Sequence, residues 1–246
     1  MNTLGLVGGL GPEATIDYYR RILEEWQRYE PDSAPSLVID SVDYRRLMHF
    51  LNNDRVGLVE YLLASLRRLA GAGVDFAAIS ANTPHIVFDE LAGRSPVPLL
   101  SIVETCAAEA ARRRLARLGL IGTRFTMEAS FYPDVFARHG AAVVAPNAEE
   151  RAWAHERYVG ELLVGDFRDT TRTGFGNIVR RLRDEERIDG LILGGTELPL
   201  LMRGGDLGGL PVLDTTALHV SAIVKRLRGG QPLPYRVSPC PALPND

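Results

Sequence analysis

The sequence is poor in cysteine, in net charge and in long apolar runs. Its 246 residues include two cysteines, Cys106 and Cys240, whose spacing matches neither a metal-ligand motif nor a disulfide framework. The 31 acidic residues nearly balance the 28 basic ones, whereas nucleic acids and anionic membranes attract a concentrated basic surface. No apolar run approaches membrane-spanning length,. These deficits exclude zinc ribbons and disulfide scaffolds. They predict a small-molecule ligand, with neither nucleic acid nor membrane as partner.

The first residues show no sign of a targeting segment. They carry no basic cluster, and glycines at positions 5, 8 and 9 interrupt the apolar run before a signal-peptide core can form,. Free thiols are typical of a reducing compartment. We therefore expect a soluble cytoplasmic protein.

An internal repeat divides the chain into two similar halves. The segment LGLVG at 4–8 recurs as LGLIG at 118–122, which is 114 residues later. Asp75 and Asp189 are separated by the same interval, and each is followed by an apolar run. An ordered set of matches at one offset indicates two copies of one structural unit.

Apolar runs of strand length alternate with amphipathic stretches in both halves, as in parallel sheets covered by helices. Strands are predicted at 4–7, 36–39, 76–80 and 98–102, and helices at 12–26, 58–69, 103–114, 127–138, 148–164, 171–183 and 216–226. The predicted fold class is α/β, with two pseudo-symmetric, doubly wound domains built on parallel sheets and a ligand cleft between them. The first domain comprises residues 1–107 and 214–246, of which 229–246 form an arm or tail. The second comprises 108–213.

Four repeat-related loops are expected to face this cleft, because ligands of open parallel sheets bind beyond the carboxyl ends of the strands. These loops are 8–11, 80–85, 122–126 and 194–197, and they supply polar donors rather than basic residues: Asn82, Thr83, Thr123, Thr126 and Thr196. Hydroxyls and helix N-termini of this kind hold a carboxylate or a phosphate. The alternative is that Asn82 and Thr83 only cap the following helix.

A dinucleotide site is a weaker interpretation of the first loop. The pattern Gly9-x-Gly11-x-x-Ala14, followed by Asp40, is similar to the nucleotide-binding fingerprint,. However, Pro12 removes a backbone donor that a pyrophosphate would use, and the repeated copy after 122 lacks the glycines. We therefore expect no nucleotide cofactor, and the cysteine spacing already argues against a bound metal.

The loop motifs together resemble a known family. They read LGLVGGLGPEAT at 4–15, NTPH at 82–85, GTRFTME at 122–128, GGTEL at 194–198 and DTTALH at 214–219. In this order they resemble the cofactor-independent aspartate/glutamate racemases, over nearly all of the chain up to Lys225. The resemblance implies two α/β domains, a substrate site between them that includes Leu10, and a homodimer.

The resemblance also implies a thiol in each half, one on each face of the substrate Cα. The corresponding positions are Ala81 and Gly195, which are again 114 residues apart. A methyl group and a hydrogen atom cannot carry a proton, so the two-thiol mechanism of the family is excluded for this sequence. Cys106 and Cys240 lie in a predicted helix and in the predicted tail, and neither position can replace a missing thiol.

Four other residues are candidates for the site. Glu197 and His85 follow the two thiol positions and are the candidate catalytic bases, although a carboxylate can stabilise its own helix and a histidine can cap one. His219 resembles a family histidine near the cleft, and a packed core histidine is the alternative. Arg46, with Arg45 in the predicted loop after the second strand, is placed to meet a distal carboxylate, and a solvated pair is the alternative.

Three hypotheses for the function follow. The first is an isomerase of the aspartate/glutamate racemase family that acts on a small carboxylate or amino acid without a cofactor. The second is a non-catalytic relative that binds an amino or dicarboxylic acid, which the missing thiols favour. The third is a proton-transfer or decarboxylation enzyme that needs one base only.

Overall fold

Two separate parallel sheets form the framework of the protein. In the computed structural model, which describes residues 1–202 and 207–230, the first sheet has strands β1 (Leu4–Gly8), β2 (Leu37–Ser41), β3 (Phe76–Ile79) and β4 (Leu99–Leu100) in the order β2-β1-β3-β4. The second has β5 (Arg117–Gly122), β6 (Ala142–Val144), β7 (Gly190–Gly194) and β8 (Val212–Asp214) in the order β6-β5-β7-β8. The identical strand orders confirm the predicted α/β class and the repeat.

Eleven α-helices cover the sheets within the same described residues. They are α1 (Pro12–Tyr29), α2 (Tyr44–Asn53), α3 (Arg55–Gly71), α4 (Phe88–Arg94), α5 (Ile102–Arg112), α6 (Arg124–Glu128), α7 (Phe131–Arg138), α8 (Ala148–Gly160), α9 (Asp169–Glu186), α10 (Leu198–Leu201) and α11 (Thr215–Leu227). Two 3₁₀ turns, Thr83–Val87 and Leu162–Val164, complete the set. None of these helices is long and apolar enough to cross a bilayer.

Local signals explain where the sequence predictions succeed and fail. Helix α1 begins at Pro12, as expected for a proline at the first helical position,. The predicted loop around Arg45 and Arg46 is wrong: these residues lie in the first turn of α2, because the Asp43 carboxylate accepts hydrogen bonds from both of their backbone N–H groups at 2.8 and 3.3 Å,.

The single helix predicted at 127–138 is also wrong. It is divided into α6 and α7, with extended backbone at Ala129 between them. Pro133 supplies the reason, because a proline ring clashes with the carbonyl group four residues earlier in a continuous helix. That carbonyl belongs to Ala129.

The two halves exchange helices. Helix α5 follows the first sheet, yet Cys106 and Ala110 on this helix pack against Leu118 and Leu120 of the second sheet. Conversely, α11 follows the second sheet and packs against β1 and α1 of the first. The predicted domain boundary at 107/108 falls inside α5, and the division itself stays a prediction. Cys240 and most of the predicted tail lie outside the described residues.

Candidate active site

The loops after β1, β3, β5 and β7 converge on one cavity between the two sheets. Its volume is about 50 Å³. Most of the predicted site residues line it: Leu10, Ala81, Asn82, Thr83, Thr123, Gly195, Thr196 and Glu197. The small volume favours a small ligand over a nucleotide or a peptide.

Three threonine hydroxyls from both halves meet beside this cavity. The Thr83 hydroxyl lies 3.1 Å from that of Thr123 and 3.2 Å from that of Thr126, and the latter two are 3.2 Å apart. Thr123 also caps α6 by accepting from the Thr126 backbone N–H. Thr126 is fully buried and supports the other two from behind without lining the cavity. The threonine cluster thus joins the halves with polar groups that carry no charge.

Asn82 holds the halves together and does not cap the turn that follows it. Its Nδ2 donates to the Thr215 hydroxyl at 3.2 Å, and its Oδ1 accepts from the Tyr132 hydroxyl at 2.6 Å. No side-chain cap bond forms at the 3₁₀ turn, so the predicted capping role is wrong. The physical reason is that both ends of the buried amide already have partners, Tyr132 of α7 and Thr215 of α11.

His85 is buried outside the cavity. Its Nδ1 lies 3.0 Å from the Ala81 carbonyl oxygen, to which it donates, and its Nε2 accepts from the Ile102 backbone N–H at 3.3 Å. Burial, reinforced by nearby His219, lowers the pKa of His85 to about 3. The neutral imidazole therefore connects β3 to α5.

Two further predicted residues also lie outside the cavity lining. The His219 ring bridges the Leu100 carbonyl oxygen and the Tyr18 hydroxyl, at 3.1 and 3.0 Å, and burial lowers its pKa to about 4. Arg46 is exposed, and its guanidinium lies over the rings of Phe50 and Tyr61.

Glu197 has a buried partner that the sequence analysis missed. The Tyr158 hydroxyl, from α8, donates to Glu197 Oε2, and the Thr196 hydroxyl donates to the same oxygen at 2.8 Å. Both Tyr158 and Glu197 are 3% exposed. Burial raises the pKa of Glu197, and the two hydroxyl donors oppose that rise. Burial and the adjacent carboxylate raise the pKa of Tyr158 well above its ordinary value.

The two thiol positions have different surroundings. A Cβ atom built on Gly195 would lie 2.6 and 2.8 Å from ring carbons Cε2 and Cζ of Tyr158 and closer still to its hydroxyl, so tyrosine fills that space. Ala81 instead belongs to a hydrophobic cluster with Leu10 and Leu47. The surroundings of Ala81 are therefore apolar, whereas Gly195 lies beside the titratable side chain of Tyr158.

The charges around the cavity are few. Glu197 is the one acidic residue among the described residues that line it, and none of these is Lys or Arg. Glu197 Oε1 lies 3.1 Å from the place where a Cβ atom at position 11 would stand, and Gly11 has a φ of +125°. A side chain at position 11 would therefore be strained and would crowd the carboxylate. Within 1–202 and 207–230, no group of three or more His, Cys, Asp or Glu side chains is arranged to hold a metal ion.

Comparisons with known proteins extend over most of the chain. A profile of the family "Asp/Glu/Hydantoin racemase" matches residues 7–223. A glutamate racemase from Aquifex aeolicus is 29% identical over 189 residues, which cover 70% of this chain and 68% of that protein. A broad specificity amino-acid racemase from Bacillus subtilis is 23% identical over 152 residues, covering 57% of this chain and 63% of that protein, which is less than two thirds of its length. The crystal structure of an aspartate racemase homologue from Pyrococcus horikoshii has a TM-score of 0.78 at 31% identity, and the match covers 93% of this chain and 100% of that one.

Proposed function

The chain belongs to the Asp/Glu/Hydantoin racemase family, and on that premise we propose that its cleft binds a small amino acid and transfers the proton on Cα without a cofactor. The observation that carries this proposal is the threonine cluster of Thr83, Thr123 and Thr126, to which both halves contribute beside the cavity. Hydroxyl donors hold a carboxylate group by hydrogen bonds without a buried cation. Glu197, which also lines the cavity, offers a negative charge to an ammonium group.

The relatives support an acidic amino acid as the ligand. The Aquifex protein is named a glutamate racemase, and the Pyrococcus structure is described as an aspartate racemase homologue. A zwitterionic headgroup matches a cavity with neutral donors and one carboxylate better than a plain dicarboxylate does, because the latter would bring like charge towards Glu197.

The lysine content supports a mechanism without pyridoxal phosphate. Enzymes that use this cofactor hold it as a Schiff base on a lysine side chain. The one lysine of the sequence, Lys225, is exposed in the last turn of α11 and does not line the cavity. A carbanion at Cα would therefore form without that electron sink, as the resemblance to cofactor-independent racemases implies.

A second candidate function is binding without catalysis. Ala81 and Gly195 specifically favour it, because neither carries a group that can accept a proton. The structure offers no thiol as a substitute among the residues it describes, since Cys106 is fully buried in α5. The homodimer and the cytoplasmic location that the sequence suggested remain predictions.

Calorimetry tests the proposal with L- and D-glutamate, L- and D-aspartate, and glutarate, which lacks the ammonium group. We expect at least one amino acid to bind more tightly than glutarate. Thr83→Val should weaken that binding by about 1–3 kcal/mol, or roughly 5- to 150-fold, because it leaves a buried carboxylate oxygen without its donor. Thr173→Val is the matched control, since Thr173 is exposed on α9.

Two results would count against the proposal. If none of the four amino acids binds, the cleft does not serve this class of ligand. If Thr83→Val binds as tightly as the Thr173→Val control, the threonine cluster is not the carboxylate site.

A further inference from the structure

We infer that Tyr158, hydrogen-bonded to Glu197, is the group that carries the Cα proton on one face of the substrate, in the space that a side chain at position 195 would occupy. The inference rests on the proposed function, because it requires an amino acid in the same cavity. It assigns a catalytic role to a residue from α8, which no sequence motif marks.

The phenol of Tyr158 fills the space beside Gly195. Gly195 has no side chain, and a Cβ placed there would overlap the phenol of Tyr158, at 2.6 Å from Cε2 and 2.8 Å from Cζ. Tyr158 lines the cavity together with Gly195 and Glu197. A phenol therefore presents its oxygen at the wall where the repeat-related thiol position lies.

The hydrogen bond between Tyr158 and Glu197 provides a route for a proton. Tyr158 and Glu197 share one hydrogen-bonded proton, with the phenol as donor. When the Cα–H bond breaks, its proton goes to Tyr158 Oη while the phenol proton passes to Glu197 Oε2, and the electron pair stays on the substrate as an enediolate. The reverse movement returns a proton to the same face of Cα. No oxidant, reductant or other reactant is needed, and the raised pKa of Glu197 strengthens the carboxylate as a proton acceptor,.

The thiol position of the first half carries neither an acid nor a base. Ala81 lies in the hydrophobic cluster with Leu10 and Leu47, so no proton carrier stands at the other thiol position. A base on one face removes and returns the proton from the same side. The expected reaction is hydrogen exchange with retention of configuration, whereas racemisation requires proton carriers on both faces.

The experiment follows deuterium incorporation at Cα by proton NMR in D₂O, with L- and D-aspartate and L- and D-glutamate as probes. Calorimetry on the same samples reports binding separately. We expect the wild-type protein to exchange one enantiomer and to leave its optical purity unchanged. Tyr158→Phe should lower the exchange rate by about 100-fold or more while the bound amino acid keeps its affinity. Tyr19→Phe, at an exposed tyrosine of α1, is the matched control and should exchange like the wild type.

A second variant pair tests the spatial argument. Tyr158→Ala should abolish exchange, and Tyr158→Ala with Gly195→Cys should recover part of it, because the thiol enters the space that the phenol leaves. Thermal unfolding and calorimetry establish that each variant folds and binds. A double variant that folds and binds but exchanges nothing more than Tyr158→Ala would overturn the spatial equivalence.

The outcomes separate this inference from the proposed function. Equal exchange by wild type and Tyr158→Phe would overturn the role of Tyr158 and leave the proposed function intact. Binding without exchange in the wild type would overturn that role together with the proposed proton transfer, and would favour the second candidate, binding without catalysis. Racemisation by the wild type would overturn exchange from one face. Tyr44, the tyrosine that lines the cavity from the first half, would then be the next residue to replace, as the candidate proton carrier on the other face. Failure of all four amino acids to bind would overturn both.

Discussion

Gly195→Ala adds one methyl group at a place that Tyr158 already fills. The new carbon would lie 2.6 Å from the nearest ring carbon of Tyr158, whereas non-bonded carbons are most favourable at about 3.5–4.0 Å. The ring must therefore move by about 1 Å. Tyr158 cannot swing into solvent, because it is 3% exposed and its hydroxyl is bonded to Glu197.

The expected cost follows from two opposing terms. Overpacking a well-filled interior costs about 1–3 kcal/mol, and replacing glycine with alanine in an unstrained backbone gains about 0.4–1 kcal/mol through the unfolded chain. The net loss should be about 1–2 kcal/mol. Gly93→Ala is the matched control: Gly93 is exposed within α4, and apart from its own helix backbone and chain neighbours the new methyl group would have no atom within 4 Å. That variant should gain about 0.5–1 kcal/mol.

Urea unfolding measures both variants, with an unchanged m-value as the sign that the two-state comparison holds. The same Gly195→Ala change in a Tyr158→Ala background should lose its penalty, which gives a coupling energy of about 1–3 kcal/mol between the two positions. Stabilisation by Gly195→Ala equal to that by Gly93→Ala would contradict the expected crowding of Tyr158. Position 195 would then be open space, and a thiol could be restored there without disturbing the tyrosine.

Two further predictions concern stability and reactivity. His85 and His219 have folded-state pKa values lowered to about 3 and about 4, so the stability that they contribute is complete above pH 6.5 and is lost as the pH falls. Between pH 6 and 4 the free energy of unfolding should drop by up to about 2.7 kcal/mol per pH unit. In urea unfolding, His85→Asn should remove about half of that slope. His49→Asn, at an exposed control position, should leave the slope unchanged. Alkylating reagents should leave amino-acid binding unchanged in calorimetry, because Cys106 is fully buried and burial raises the pKa of its thiol; loss of binding in a folded sample would contradict this.

The repeat made the fold predictable. Periodic apolar runs and a constant offset of 114 residues were enough to predict two α/β halves, and the parallel pairing of β1 with β3 and of β5 with β7 has the same register in both. The failures were local. The helix after Asp43 was missed, because the one local signal for its start is the Asp43 side chain that caps it. The break at Ala129 was missed, because the proline that causes it stands four residues later.

The lining of the candidate site was predictable where it follows strand ends and unpredictable where it depends on packing across the fold. The loop threonines and Glu197 line or adjoin one cavity, as their positions after β3, β5 and β7 suggested. Tyr158 was missed because it comes from α8, 39 residues from Glu197 in sequence. Its only sequence signal is indirect: a glycine where the family resemblance implies a side chain leaves room for a large residue from elsewhere.

The register of the repeat shows which positions of the two halves correspond at the candidate site. Because Leu4 pairs with Phe76 and Leu118 pairs with Gly190, the offset of 114 residues makes Thr83 in the first half equivalent to Glu197 in the second. Thr83 offers a neutral hydroxyl within the threonine cluster, whereas Glu197 offers a carboxylate held by Tyr158 and Thr196. Both positions line one cavity, and in the proposed function they have opposite preferences: Thr83 for an anion, and Glu197 for a cation or a proton. A symmetric pair of bases would treat both faces of Cα alike. In the proposed function this pair would orient a zwitterion, so the divergence of two equivalent positions would explain both the expected preference for an amino acid and the proposed exchange from a single face.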